Sequence, residues 1–197
     1  MAETKPVAPP APLTMGIAPG ETLEMAISRW AAREARPVLY DASPEIRAAL
    51  ALKQTTAKHY SATFEGSVAM VSEELAQRSP KLRFWVSRTP SELIVHDLGP
   101  RTDVRSMLIN QPTLRDAAFA VAREIGWKTN PPSVCMTARP CDSWTTATPN
   151  YRLAASYRMV VSGDVIHTMQ KLLAGYNVQA QFDKSTQTVY FTPLNKG

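Results

Sequence analysis

Two amphipathic stripes dominate this chain, and they stand 91 positions apart. The first sets apolar residues at Leu23, Ala26, Ile27, Trp30 and Ala31, the second at Leu114, Ala117, Ala118, Val121, Ala122 and Ile125. The i, i+3, i+4, i+7, i+8 spacing belongs to a helix that buries one face. Both stripes open on Thr-Leu, at Thr22-Leu23 and Thr113-Leu114. The first stops before Arg36-Pro37, where proline disfavours helix in the residue ahead of it, and the second closes at Gly126. Neither helix buries its stripe alone, so each must lie on neighbouring strands.

The flanking segments supply those strands in the same order twice. Around the first stripe, residues 13–17 and 37–40 read as strands, and residues 60–64 alternate like another until Gly66 breaks them. A second helix over Val68, Val71 and Leu75 ends at Ser79-Pro80, and residues 82–86 and 92–96 form a hairpin about Thr89-Pro90-Ser91. Residues 41–58 are ambiguous, with Ser43-Pro44 suited to starting a short helix. Around the second stripe, residues 107–109, 127–129 and 157–161 read as strands. Gly163 precedes a helix carrying Val165, Ile166, Met169, Leu172 and Leu173, and residues 178–182 and 188–192 pair across Asp183-Lys184-Ser185-Thr186. Gly66-Ser67-Val68 matches Gly163-Asp164-Val165 at an offset of 97. The shared order predicts an internal duplication of the α+β class, with two helices on a small mixed sheet in each half.

At 197 residues the chain holds one ordinary domain or two small ones. With 44% hydrophobic and 20% charged residues it is neither disordered nor fibrous, and no apolar run reaches the ~18 residues of a membrane-spanning helix. The expected division is a Pro/Ala-rich tether over residues 1–12, a domain over 13–98, a linker over 99–103 and a second domain over 104–194. Prolines at 6, 9, 10 and 12 favour an extended tether without an apolar signal-peptide region.

Charge is uneven. Residues 1–100 carry 11 basic and 11 acidic side chains, and residues 101–197 carry 11 and 6, so the net charge of +5 belongs to the second half. A solvated basic face explains this as readily as an anionic partner does. Arg101, Arg105 and Arg158 are the candidate partner-binding residues in that half. The two cysteines, Cys135 and Cys141, share one proline-rich loop. Their proximity points to a small disulfide-closed loop, worth roughly 2–3 kcal/mol on the chain-entropy account and needing an oxidising compartment. Two unpaired thiols are the alternative. Zinc would need about four ligands, and neither a further Cys nor a close His pair is present.

No nucleophile elbow, phosphate-cradling loop or His-Glu-Xaa-Xaa-His motif occurs. His59, His96 and His167 are scattered, and Glu73-Glu74 would point about 100° apart on a helix, so an enzyme is not expected and no cofactor is implied. A cytoplasmic nucleic-acid binder is the reading from another class. Arg101, Arg105, Arg139, Arg152 and Arg158 with Trp127, Trp144, Tyr151 and Tyr157 offer charge and stacking surfaces, but no aromatic RNA-binding strand or GXXG turn appears. Interdomain packing of Trp127 or Trp144 is the plainer explanation.

Three segments resemble a known family. Leu13-Thr14-Met15-Gly16-Ile17-Ala18-Pro19-Gly20-Glu21-Thr22-Leu23 is similar to the opening strand, turn and helix start of the toxin-coregulated pilus biosynthesis protein Q-like domain and the N0-type domains of secretins. Trp30-Ala31-Ala32 through Pro37-Val38-Leu39-Tyr40-Asp41 resembles its first helix and following strand, and Ala62-Thr63-Phe64-Glu65-Gly66-Ser67-Val68 the next strand, glycine and second helix. The second half lacks the Gly-Glu before Thr113-Leu114 and adds the Cys loop. The resemblance implies a non-enzymatic periplasmic scaffold of a type IV secretion, conjugation or pilus complex. Such a scaffold would be anchored at the outer membrane by a lipidated N terminus absent from this chain. It would contact other subunits and copies of itself in a ring. Gly20-Glu21-Thr22-Leu23 is also similar to the start of a LysM peptidoglycan-binding module, which ends before a second half of this kind.

Overall fold

The computed structural model describes residues 15–60, 63–130 and 142–194. The chain divides into two compact units, one through Arg101 and one from Thr102. Both are α+β.

In the first unit, β1 (Gly16–Ile17) pairs antiparallel with β3 (Lys58–His59). Helix α1 (Leu23–Arg33) starts where the Thr22 side chain accepts a hydrogen bond from the Met25 N–H at 3.1 Å. It buries Leu23, Ala26, Ile27, Trp30 and Ala31. The chain leaves α1 through Ala35 in the left-handed region, at φ 53°. It then forms β2 (Val38–Asp41), which runs parallel to β5 (Leu93–His96). The ambiguous stretch after β2 contains a short helix, α2 (Pro44–Leu50), with Pro44 in its first turn and Ile46, Ala49 and Leu50 buried. Strand β4 (Trp85–Arg88) completes a mixed sheet in the order β2-β5-β4. Trp30 sits at the centre of this core, fully buried, edge-on to Tyr60 at 5.7 Å, with its indole N–H donating to the Gly16 carbonyl.

Two expectations for this unit need correction. Residues 61 and 62 of the expected strand 60–64 lie outside the described residues, but Tyr60, Thr63 and Phe64 belong to no strand, and Gly66 lies inside a helix rather than breaking one. Helix α3 (Phe64–Arg78) begins at Thr63, whose hydroxyl accepts from the Gly66 N–H at 3.2 Å. The apolar alternation ending at Phe64 reflects burial of the first helical residue rather than strand pleating. The hairpin also starts later than residue 82, because Pro80–Leu82 is a single 3-10 turn.

In the second unit, β6 (Val104–Ile109) pairs antiparallel with β7 (Tyr157–Ser162) over six residues. Helix α4 (Leu114–Glu124) is capped by Thr113, which accepts from the Asp116 N–H and donates to the Asp116 carboxylate at 2.6 Å. It buries Leu114, Ala117, Ala118, Val121 and Ala122, and exits through Gly126 at φ 79°. Helix α5 (Val165–Leu173) is capped by Asp164, and β8 (Val178–Asp183) pairs with β9 (Thr188–Pro193) as a hairpin.

Residues 127–129 are not a strand. Only Lys128 meets β9 there, in parallel, donating to the Gln187 carbonyl and accepting from the Val189 N–H. The chain returns at Ser143-Trp144 to take the next parallel position beside Phe191. Asn130 and Ser143 tie the two passes together, with Ser143 N–H donating to the Asn130 carbonyl at 2.9 Å and Asn130 N–H donating to the Ser143 hydroxyl at 2.8 Å. The equivalent of β2 is therefore split by an inserted segment. Cys135 and Cys141 lie in that segment, outside the described residues.

The repeat is closer than the sequence offset of 97 implies, and differently aligned. Helices α1 and α4 bury the same five positions at an offset of 91, and Ala35 and Gly126 hold the same left-handed exit. The Thr caps form matching isolated bridges, Thr22 with Lys53 and Thr113 with Arg152. Helices α3 and α5 align by their caps, Thr63 and Asp164, an offset of 101. Ser67, Val68, Val71 and Ser72 then fall on Thr168, Met169, Leu172 and Leu173, all buried. The Gly66–Gly163 match is coincidental, since one glycine lies inside its helix and the other before the cap.

Candidate interaction surface

Each unit places its last α-helix against the outer strand of its hairpin, leaving a groove between them. In the first unit the groove encloses about 310 Å³ between α3 and β4. In the second it encloses about 500 Å³ between α5 and β8.

Antiparallel pairing decides which backbone groups face each groove edge. In the first unit the Thr89 N–H donates to the Glu92 carbonyl, so Phe84, Val86 and Arg88 turn their backbone away from β5. The Ser72 hydroxyl takes up the first of these, accepting from the Phe84 N–H at 2.9 Å and donating to the Phe84 carbonyl at 2.6 Å. Ion pairs close the rest. Arg83 meets Glu73 at 2.9 Å, and Arg88 bonds Glu65 through its Nε at 2.8 Å and also holds Glu34. Burial is the largest single influence and would raise the Glu65 carboxyl, but the hydrogen bond from Arg88, a backbone hydrogen bond and the charges of Arg88 and Arg36 together outweigh it and hold the group below its ordinary value.

In the second unit the Leu194 N–H donates to the Asn177 carbonyl at 3.1 Å. The same alternation turns Val178, Ala180 and Phe182 outward. The residues in the closing positions are apolar. Leu173 stands where Ser72 does, and Ile166 and Phe182 replace the Glu65–Arg88 pair. Ile166 and Leu194, both lining the groove, are each 44% exposed. Sequence reading missed this surface. Its signal was the uncharged run Val178-Gln179-Ala180-Gln181-Phe182, set against a hairpin strand in the first half that is bracketed by Arg83 and Arg88.

The structure places the candidate arginines separately. Arg101 is exposed at the end of the first unit. Arg105, on β6, pairs with Asp103 at 3.4 Å and Glu124 at 2.9 Å and also bonds the Glu124 carbonyl. Arg158 projects from the opposite face of the β6-β7 ladder, bonding Ser106 at 3.1 Å. Of the aromatics considered as stacking platforms, Tyr157 is exposed and the other three pack against further rings of the unit. Trp127 lies edge-on to Phe182 at 5.5 Å, Trp144 against Phe191 at 5.2 Å and Tyr151 against Tyr176 at 5.0 Å. Trp127 and Trp144 thus pack in the second unit's own core. Arg139 lies outside the described residues.

Glu73 and Glu74 turn to different partners, Arg83 and Lys58. His96 is 1% exposed, with Nε2 3.0 Å from the Ser87 hydroxyl. Burial lowers its pKa against the opposing pull of Asp41 and Asp97, so the ring is held neutral. No cluster of three metal-ligating side chains occurs among the described residues, and no described helix is long and apolar enough to cross a membrane. Searches of family models, curated proteins and solved structures return no match to this chain.

Proposed function

We propose that this protein is a non-enzymatic scaffold built from two tandem N0-like domains. It would act in the periplasm as part of an outer-membrane secretion, conjugation or pilus complex. The observation that carries the reading is the repeated unit. Each half has a Thr-capped helix leaving through a left-handed residue, a two-stranded antiparallel sheet, and a hairpin whose inner strand takes a parallel neighbour. Small sheets with open edges suit lateral assembly, because an edge can accept a neighbour's strand. The nucleic-acid reading gains less support, since most of the aromatics it needs are engaged in a core.

The test is thiol labelling of Cys135 and Cys141 in fractionated cells, with and without reductant. Envelope fractionation, with both thiols blocked until reduction, is the expected result. Free labelling in the cytosolic fraction would overturn the periplasmic reading. Reversing the charge of Arg101, Arg105 and Arg158 together should weaken co-purification with outer-membrane subunits, and unchanged recovery would remove those residues from the interface.

A further inference from the structure

We infer that the β8 edge of the second unit is a self-association surface, pairing antiparallel with β8 of a second copy about a twofold axis at Ala180. Three observations support it. The first is the comparison within the chain. The equivalent edge in the first unit is closed by Ser72 on the Phe84 backbone and by Arg88 on Glu65, whereas Leu173, Ile166 and Phe182 fill those positions here. The second is the backbone. Val178, Ala180 and Phe182 direct three N–H and three C=O groups outward along one row. An uncharged edge of this kind is what folded proteins normally block with charge, proline or a covering segment.

The third observation selects the occupant. Val178-Gln179-Ala180-Gln181-Phe182 reads alike in both directions, with an apolar residue at each end, glutamine next, and alanine at the centre. A twofold axis at Ala180 sets Ala180 opposite its own copy and Val178 opposite Phe182, forming six backbone hydrogen bonds. Gln179 meets Gln181 on the other face, where their amides pair without charge. Asp183 falls opposite Asn177, so no like charges oppose. A self-complementary patch is the requirement of an isologous contact. Each copy also brings Ile166 toward the other's apolar row and covers the 500 Å³ groove. The inference stands independently of the compartment assigned above.

Sedimentation equilibrium of the full chain over about 1–500 μM tests it, together with hydrogen exchange across the same series. A ladder this short lies among small interfaces, below about 1,200 Å² in total, so the dimer should be weak and should form toward the upper end of that range. The amides of Ala180 and Phe182 should gain protection as concentration rises, whereas Val178, 4% exposed, is shielded already. Those of Gln179 and Gln181, bonded to β9, should be protected throughout. Ala180→Pro and Ile166→Glu should each weaken association at least tenfold. The Ala180 N–H points away from β9, so the proline removes no bond of the hairpin. A chain that stays monomeric at the highest concentration, its Ala180 and Phe182 amides unprotected, overturns the inference. So does a dimer that forms without protecting them, or that survives Ala180→Pro.

Discussion

Helices α1 and α4 carry the same buried positions, the same Thr cap and the same left-handed exit, yet the grooves beside α3 and α5 have opposite chemistry. The repeated features are those that set a helix on a sheet, while the differing ones lie on an edge that each unit's core does not use. Ser72 and the Glu65–Arg88 pair seal one edge, and their counterparts Leu173, Ile166 and Phe182 leave the other apolar. A duplicated framework thus tolerates divergence where the backbone faces outward and little where it faces inward.

The sharpest way to probe this comparison is at one core position in both units. Trp30 and Val121 occupy the same site on α1 and α4, and both are fully buried. Trp30→Ala should cost about 3–5 kcal/mol, through cavity and lost contacts. Val121→Ala removes two methyl groups and should cost about 2 kcal/mol. Denaturant unfolding followed by circular dichroism measures both. Equal losses would mean that the two cores are not organised around the same position.

Next in size is Ser72→Ala, which strips both partners from the buried Phe84 backbone and should cost about 1–3 kcal/mol. An unchanged midpoint would show that Ser72 does not close the first unit's edge.

The smallest effects test the helix exits. Ala35→Gly relieves a left-handed alanine and should stabilise by about 0.5 kcal/mol after the flexibility it adds to the unfolded chain. Gly126→Ala places a side chain at φ 79° and should destabilise by about 1 kcal/mol, although open space surrounds the added carbon. Thermal melts of both variants check the signs. A stabilising Gly126→Ala would break the equivalence of the two exits.

Much of the framework was legible beforehand because helical periodicity and capping are local. The stripes of α1, α4 and α5, and both hairpins, follow from residues within a few positions of one another. Legibility failed where two periods overlapped. Tyr60, Ala62 and Phe64 alternate like a strand, but Thr63 caps a helix and the cap prevails. It failed again at residues 127–129, where an insertion splits one strand position between Lys128 and Trp144. The arginines stood out by charge alone, and the structure separates Arg105 and Arg158 onto opposite faces of one ladder.

By itself the sequence determined the α+β class, the twofold repeat and the limits of α1 and α4, since these rest on spacing and on side chains bonding their own neighbours. Only the tertiary structure decided that β5 takes a parallel partner on one side and an antiparallel one on the other. It also decided that α3 aligns with α5 by caps rather than by glycines, and that one hairpin edge is sealed by polar bonds while the other is lined by apolar side chains. The physical reason is that strand pairing and groove closure join residues distant in the chain. Which backbone groups remain outward depends on the partner strand's register, which local pattern does not encode.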